Sequence, residues 1–285
     1  MPIRTSPTVR RRRLAAELKR LRKESGKNRD EVATFVGCAP ATVTKIEAAS
    51  SAAPPAYVAL MLEMYGVVGE RREVLMLLAR QARKRGWWHQ HGDSIPQWFE
   101  VYVGLEEEVS EIRTYQPEAV YGLLQTEGYM RAIMLADVTV PPEEELERQV
   151  ALRMKRQELL TADDAPKVGL VLNEAALRRV VGGPGTMKEQ LRHLLDVSRL
   201  NTVLLQVLTY AAGAHPAMDG AFNVLRFPEP ADPDVAYVQY RRGSIYLEDQ
   251  ADVDAYTELF DHLRARALGP DESCALIERI ADEMA

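Results

Sequence analysis

Cysteine is scarce in this sequence, which holds only Cys38 and Cys274 among 285 residues. Two cysteines are too few for a disulfide framework or for a cysteine-ligated zinc site. No run of about 18 uncharged apolar residues occurs, so no transmembrane helix is expected. The basic N-terminus is not followed by the apolar segment of a secretory signal. We therefore expect a cytoplasmic protein, associated with the nucleoid if it binds DNA, and no membrane partner.

Motifs of catalysis are also lacking. The sequence has no Ser/His/Asp order and no dinucleotide-binding fingerprint. The string GGPG at 182–185 lacks the Lys-Ser/Thr that a phosphate-binding loop requires, so it predicts a turn. We predict that the chain is not an enzyme and that it uses no cofactor.

Charge is present in quantity but is unevenly distributed. Residues 1–65 contain 12 Lys/Arg and 6 Asp/Glu, a net charge of +6, and the other 220 residues contain 24 and 36, a net charge of −12. A basic end suits phosphate binding. The acidic remainder repels DNA and favours solubility.

Residues 28–47, NRDEVATFVGCAPATVTKIE, have the pattern of two short helices joined by a tight turn. Asn28 and Glu31 have the spacing of a capping box. Gly37 can adopt the left-handed conformation that ends a helix, and Pro40 suits the first turn of the next helix. This pattern is typical of a helix-turn-helix, whose second helix enters the DNA major groove. The alternative is any pair of short helices in a bundle, and the basic flanks favour the DNA-binding interpretation.

On a recognition helix that begins near Ala39, Val43 and Ile46 are expected to face the core. The outward residues, which are the predicted contacts to bases and phosphates, are Ala41, Thr42, Thr44 and Lys45. Arg29 is predicted to hold a phosphate, which sets register rather than sequence preference. Glu47 is expected to have a structural role within the domain.

A run of arginines precedes the motif. It consists of Arg10, Arg11, Arg12 and Arg13. Two interpretations remain open: a solvated helix start, or an arm that lies near DNA phosphates. Because one helix-turn-helix covers a short site, we also predict a homodimer on a double-stranded operator.

We place the domain boundary after residue 85. Residues 1–85 predict five helices, and residues 86–285 predict helices around a small, largely antiparallel sheet, which makes the chain mainly α with an α+β second domain. A helix is predicted over 97–114. The predicted strands are Lys167–Leu172, Thr202–Leu208, Ala221–Phe227, Val235–Arg241 and Ile245–Glu248.

Two groups of residues in the second domain are candidate ligand or partner contacts. The first group is aromatic and histidine-rich: Trp87, Trp88, His89, His91 and Trp98. These side chains either line a pocket or anchor the domain junction, and we favour the second interpretation. The second group is His215 and Asp219, in a small-residue loop between strands. The pair His89-x-His91 lacks further ligands at metal-site spacing, so no metal is predicted.

Several long motifs resemble one known family. They include GWWHQHGDSIPQWFEVYVGLE, RTYQPEAVYGLLQTEGYMRA, ERQVALRMKRQELL and IYLEDQADVDAYTELFDHLRA. The N-terminal helices resemble the Xre/lambda-repressor-like DNA-binding domain. Together they resemble the actinobacterial Xre-family transcriptional regulators with an antitoxin-like C-terminal domain, the WhiJ-like regulators. The resemblance covers about residues 10–280.

The resemblance implies a transcription regulator that pairs with a small protein encoded by a neighbouring gene. Many relatives have Ser where this chain has Ala39 and Ala41, and Gln where it has Arg29. We therefore expect an operator that differs from those of relatives. For the second domain, two functions stay open: binding of the small partner protein, or sensing of a small molecule.

Overall fold

The computed structural model describes residues 7–83, 97–229 and 232–284. The chain divides into two compact units. Unit 1 contains the chain up to Gln90 together with Val101–Glu108 and Glu229–Asp232, and unit 2 contains the rest. The predicted boundary after residue 85 does not include these two later segments of unit 1, because they join it only through tertiary packing. Within the described residues, no helix is long and apolar enough to cross a membrane.

Unit 1 begins with five helices, as predicted. They are α1 (Pro7–Glu24), α2 (Arg29–Val36), α3 (Pro40–Glu47), α4 (Pro55–Met64) and α5 (Gly69–Gln81), and α6 follows at Gln97–Glu106. The apolar faces of α1 to α5 enclose one core, in which Leu14 and Leu18 of α1 pack with Val32 of α2 and Leu62 of α4. Each of these four side chains is at most 1% exposed. The helices are short, so this shared core rather than helix propensity supplies most of their stability.

In the described residues, unit 2 combines a sheet with the helices α7 to α12. The strands are β1 (Glu111–Gln116), β2 (Lys167–Asn173), β3 (Val203–Leu208), β4 (Phe222–Arg226), β5 (Val235–Tyr240) and β6 (Gly243–Leu247). The helices are α7 (Glu127–Leu135), α8 (Glu143–Gln157), α9 (Glu174–Arg178), α10 (Pro184–Val197), α11 (Gln250–Arg266) and α12 (Pro270–Glu283). The prediction of helices around one sheet is confirmed.

The sheet is mixed rather than largely antiparallel. Its strand order is β3-β2-β1-β4-β5-β6. The pairs β1–β2 and β2–β3 are parallel, and β1–β4, β4–β5 and β5–β6 are antiparallel. The parallel pairs arise because long helical connections separate β1, β2 and β3 in the chain, which returns each strand in the same direction.

The predicted helix over 97–114 is wrong in its second half. The helix α6 ends at Glu106, and Glu111–Gln116 forms β1 between β2 and β4. Val109 and Ile112 continue the helical spacing of Tyr102 and Leu105, which made the segment ambiguous from periodicity alone. The segment forms a strand because its backbone pairs with β2 on one side and β4 on the other.

One face of the sheet packs on α11. Tyr115, Phe222 and Val224 share a buried cluster with Val253 and Phe260 of α11. A Cβ added at Gly169 of β2 would lie 3.3 Å from Phe260 Cζ, so the glycine admits this ring close to the strand. Side chains alternate along a strand, so Thr114, Gln116 and Asn223 belong to the opposite face.

Candidate nucleic-acid interface

The turn between α2 and α3 has the predicted caps. Asn28 Oδ1 accepts from Glu31 N at 2.9 Å, and Asn28 N donates to Glu31 Oε2 at 2.8 Å. This is the reciprocal capping box that the spacing predicted. Gly37 ends α2 with φ 76° and ψ 38°, and Cys38 N donates to Ala33 O at 2.9 Å. The left-handed glycine turns the chain within three residues of α3, which sets the angle between the two helices.

The helix α3 is divided into a buried and an outward face. Val43 and Ile46 are 0% and 2% exposed in the core, as predicted. Ala41, Thr44 and Lys45 are exposed, and Thr42 is half-buried. The residues proposed as DNA contacts therefore lie on the surface, on a helix that the core holds in place.

The outward side chains offer a small set of hydrogen-bonding groups. Thr44 Oγ1 donates to Pro40 O at 3.2 Å, so its proton is used within the helix. The hydroxyl oxygen can still accept, and the methyl group suits a thymine methyl. Ala39 makes no side-chain cap, Pro40 has no N–H, and Thr42 N donates to Ala39 O at 2.8 Å. In the first turn of α3 this leaves the N–H of Ala41 to donate to a phosphate. Lys45 contributes a positive charge to this outward face.

Behind α3, Glu47 joins three helices of unit 1 through two arginines. Arg22 of α1 donates from Nε and Nη2 to the Glu47 carboxylate at 2.5 and 3.1 Å. Arg29 of α2 donates from Nε at 2.9 Å. The Glu47 side chain is 3% exposed and that of Arg22 is 11% exposed. The expected structural role of Glu47 agrees with this network, whereas the role of Arg22 has no local signal because it lies 25 positions away.

Protonation of Glu47 is opposed by this network. Burial alone would raise the pKa of the carboxyl group, but the hydrogen bonds from Arg22 and Arg29 outweigh burial and lower it. Glu47 therefore stays charged. Since Arg29 donates Nε to Glu47, part of its charge is engaged within the unit. The Arg29 side chain remains 43% exposed. A phosphate contact therefore requires that Arg29 bind Glu47 and the phosphate at the same time.

The arginine run is not an exposed arm. Arg12 is 6% exposed, and Arg10, Arg11 and Arg13 are half-buried in α1. Burial lowers the pKa of Arg11. The positive charges of Arg13 and Arg12 act on Asp232, a residue of the same unit whose pKa burial raises. The burial of Arg12 favours the interpretation of this run as a helix start, and the phosphate role of the four arginines stays a prediction.

Comparison with known proteins agrees with this geometry. Residues 13–75 match the family described as Helix-turn-helix domain, and the chain is therefore a DNA-binding regulator. Residues 99–279 match the family described as Domain of unknown function (DUF5753). The chain belongs to the DUF5753 family. It has no significant match among curated proteins or among solved structures.

Most of the aromatic candidates fall outside the described part of this DUF5753 protein. Trp87, Trp88, His89 and His91 lie in the segment 84–96. Trp98 lies in the first turn of α6, and its side chain is outside the described residues as well. Their proposed ligand or partner role stays a prediction.

The structure separates the two candidates of the loop between β3 and β4. His215 Nε2 lies 3.2 Å from Tyr115 Oη, which also accepts from Asn173 Nδ2 at 3.4 Å. Burial lowers the pKa of His215, and the charge of Arg266 adds to the effect, so the ring is neutral at pH 7. Asp219 is exposed, and within the described residues no hydrogen bond joins it to His215. His215 thus packs at the carboxyl ends of β1 and β2, where Tyr115 and Asn173 lie.

Metal binding finds no support in the parts of the chain that the structure describes. There, no three His, Cys, Asp or Glu side chains are grouped as a metal ion would require. The two cysteines are free thiols, and both are half-buried.

Proposed function

We propose that this DUF5753 protein is a sequence-specific transcription regulator that binds a double-stranded operator through α3. The observation that carries the proposal is the outward face of α3, on which Ala41, Thr44 and Lys45 are exposed while Val43 and Ile46 seat the helix. Lys45 can reach guanine acceptors or phosphate, and the threonines suit base edges or a thymine methyl. The site of action is the cytoplasmic nucleoid.

The small outward face of α3 supports a homodimer. Two copies would contact half-sites about 34 Å apart, one helical turn of DNA. Each copy contributes few base contacts, so pairing of two copies supplies discrimination that one cannot. We propose a bipartite operator with two-fold symmetry on this ground.

We further propose that unit 2 binds a small protein encoded by a neighbouring gene, as the resemblance to the antitoxin-like, WhiJ-like Xre regulators implies. The connection between α7 and α8 supports a partner surface. There Leu135 and Val140 are 50% and 51% exposed, and Val138 is 91% exposed. Exposed apolar side chains this close in sequence suit burial by a partner.

A second candidate function is control of DNA binding by a small molecule. The observation that favours it is a hollow of about 370 Å³ in unit 2, lined by polar side chains of the sheet. In either case the bound species controls DNA binding only through different affinities for two states of the regulator.

Operator binding is tested by selection from a random pool of duplex DNA. The full-length chain should enrich a bipartite site. The double variant Thr42→Ala/Lys45→Ala should bind that site at least about tenfold more weakly in a gel shift, because base contacts are lost. Its melting temperature should stay near that of the parent chain, since neither side chain is in the core.

The matched control is Lys155→Ala/Thr161→Ala, which makes the same two replacements in unit 2. It should bind the site as the parent chain does. If no site is enriched, or if the folded α3 variant binds unchanged, operator recognition by α3 is wrong.

Partner binding is tested by co-expression with the small neighbouring gene product, followed by purification and mass spectrometry. Copurification that Val138→Asp abolishes would support the partner surface. Loss of DNA binding with a copurified metabolite would support the second candidate instead. A chain that purifies alone, with no metabolite, would contradict the partner proposal.

A further inference from the structure

The polar face of the sheet in unit 2 contains an ordered row of side chains. Thr114 of β1 lies opposite Asn223 of β4, and Asn223 lies opposite Tyr237 of β5. Beyond these paired residues, Gln116 ends β1, Ala221 directly precedes β4, and Gln239 is two residues beyond Tyr237 in β5. Gln116, Ala221 and Gln239 line the same hollow.

The small side chain of Ala221 leaves a hollow between those glutamines. Its volume is about 370 Å³, and its lining includes Gln116, Asn223, Tyr237 and Gln239. This volume falls in the range of small-molecule sites, roughly 300–1,000 Å³. The hollow is at the carboxyl ends of β1 and β5, next to β4, where the sheet changes from parallel to antiparallel pairing.

Hydrogen bonds orient the amide groups around the hollow. Thr114 Oγ1 donates to Asn223 Oδ1 at 2.5 Å and accepts from Gln116 Nε2 at 2.9 Å. Since Gln116 is held by its nitrogen, its Oε1 can accept from a ligand. On the β5 side, Tyr237 Oη donates to Gln239 Oε1 at 3.2 Å, so Gln239 Nε2 can donate. The two walls therefore offer an acceptor and a donor.

The hollow carries little net charge. Of the residues that line it in the described structure, only Arg241 is ionised at pH 7. Arg241 Nη2 donates to Asp137 Oδ1 at 2.6 Å, which offsets its charge. A charged ligand would lose hydration in the hollow, and Arg241, which already pairs with Asp137, would compensate little of that loss. An uncharged ligand is therefore favoured.

Tyr240, the last residue of β5, also lines the hollow. Since side chains alternate along a strand, its ring lies on the face opposite that of Tyr237 and Gln239. A Cβ added at Gly243 would lie 2.5 Å from Tyr240 Oη, so this glycine lets the ring pack against β6. The walls of the hollow are therefore formed mainly by polar side chains.

We propose that this hollow binds a small uncharged molecule that presents a hydrogen-bond donor to one wall and an acceptor to the other, the chemistry of a nucleoside. Gln116 Oε1 would accept from the ligand and Gln239 Nε2 would donate to it, and the bases of nucleosides carry both kinds of group. Ligand binding by the hollow does not depend on operator recognition by α3. It is measured without DNA, so a failure of ligand binding can be distinguished from a failure of operator binding.

The test is direct calorimetric titration of the full-length chain with four neutral probes: adenosine, guanosine, cytidine and thymidine. At least one nucleoside should bind saturably, and its 5′-monophosphate should bind more weakly because the hollow holds no uncommitted cation. Ala221→Leu should abolish binding by filling the space. Gln116→Ala and Gln239→Ala should each weaken binding about fivefold, the effect of one hydrogen bond.

Two controls keep the result specific to the hollow. Ala211→Leu makes the same enlargement at an exposed position, and Gln250→Ala removes an exposed amide on α11. Both should bind the nucleoside as the parent chain does. If Ala221→Leu does not fold, Gln116→Ala and Gln239→Ala still test whether the hollow binds the nucleoside. Both variants leave Ala221 unchanged.

The proposal is overturned if none of the four nucleosides binds, or if binding is unchanged in the folded pocket variants. It is also overturned, with respect to ligand class, if a neutral disaccharide binds in place of the nucleosides and Ala221→Leu abolishes that binding. Tighter binding of the monophosphate than of the nucleoside would overturn the neutral character of the site.

Discussion

The helix-turn-helix of unit 1 and the polar hollow of unit 2 are both surface sites, but they are assembled differently. The outward face of α3 comes from one stretch of five residues, Ala41 to Lys45. The hollow takes Gln116 from β1, Ala221 from the residue before β4, and Gln239 from β5. A helix brings neighbours in sequence onto one face, whereas a sheet joins residues more than 100 positions apart. Local pattern therefore reveals the first site and conceals the second.

The same contrast separates the basic side chains within unit 1. Lys45 is exposed on α3, whereas Arg12 is buried and Arg22 is engaged with Glu47. A positive net charge in a segment thus does not show which cations face solvent. Variants of the two units test both contrasts.

The largest effect is expected from loss of the ring that supports the sheet. Phe260→Ala should lower the free energy of unfolding of unit 2 by about 4 kcal/mol, because a fully buried aromatic side chain leaves a cavity. Phe260 is 1% exposed and contacts the Gly169 backbone region of β2. Chemical denaturation measures the loss, with exposed Glu258→Ala on the same helix as control. Equal stability of the two variants would contradict the packing of α11 on the sheet.

Removal of the Glu47 carboxylate should come next. Glu47→Ala leaves Arg22 buried without its partner and should destabilise unit 1 by about 3 kcal/mol. The control Glu63→Ala removes an exposed carboxylate from the neighbouring helix α4 and should have little effect. Thermal unfolding compares the two. A small loss for Glu47→Ala would mean that the network orients α3 without stabilising it.

Acid should act on the same network. The pKa of Glu47 is lowered in the folded state, so its stabilisation is fully present above the ordinary glutamate value of about 4.3. It is lost as the pH falls through the lower folded-state pKa. Denaturation of unit 1 measured from neutral to acidic pH should show this loss. The variant Glu47→Gln should reduce the dependence, and an unchanged pH profile would contradict the role of Glu47.

A reciprocal pair of turn variants should give smaller effects of opposite sign. Gly37 has φ 76°, and Ala49, which follows α3, has φ 54°. Gly37→Ala should cost about 1 kcal/mol because a Cβ is strained in that region, and Ala49→Gly should recover a comparable amount. Gly37→Asn should retain more stability than Gly37→Ala. Melting temperatures test the series, and effects of equal sign would contradict the left-handed geometry.

The smallest expected change is in the salt dependence of operator binding. Lys45→Gln should reduce the slope of log K against log salt by about 1, the contribution of one phosphate contact. Arg12→Gln should lower stability and leave that slope unchanged, since Arg12 is 6% exposed. Filter binding at several salt concentrations measures both. A lower slope for folded Arg12→Gln would place the arginine run on DNA.

Much of unit 1 follows from its sequence. The Asn28/Glu31 spacing, Gly37 and the apolar positions of α2 and α3 predict the caps, the turn and the buried face, and the structure confirms them. These features depend on residues within one or two helical turns. The engagement of Arg22 and Arg29 with Glu47 was not predictable, because it joins α1, α2 and α3 across 25 positions.

Unit 2 was predictable in its elements but less so in their arrangement. The strands β2 to β6 appear close to the predicted ranges. The strand β1 was missed, since helical spacing and strand pairing compete at Val109 and Ile112 and only the neighbouring strands decide between them. Without β1, neither the mixed pairing nor the proximity of Gln116 to Ala221 could be expected.

Most secondary-structure elements, the helix-turn-helix and the uneven distribution of charge along the chain follow from the sequence, because periodicity, caps and composition are local properties; β1 is the exception. Tertiary structure alone decided which arginines are buried, how Glu47 is satisfied and where Gln116, Ala221 and Gln239 meet. The physical reason is that burial and register depend on which distant segments pack together. A one-residue change of register would turn those side chains to the opposite face of the sheet.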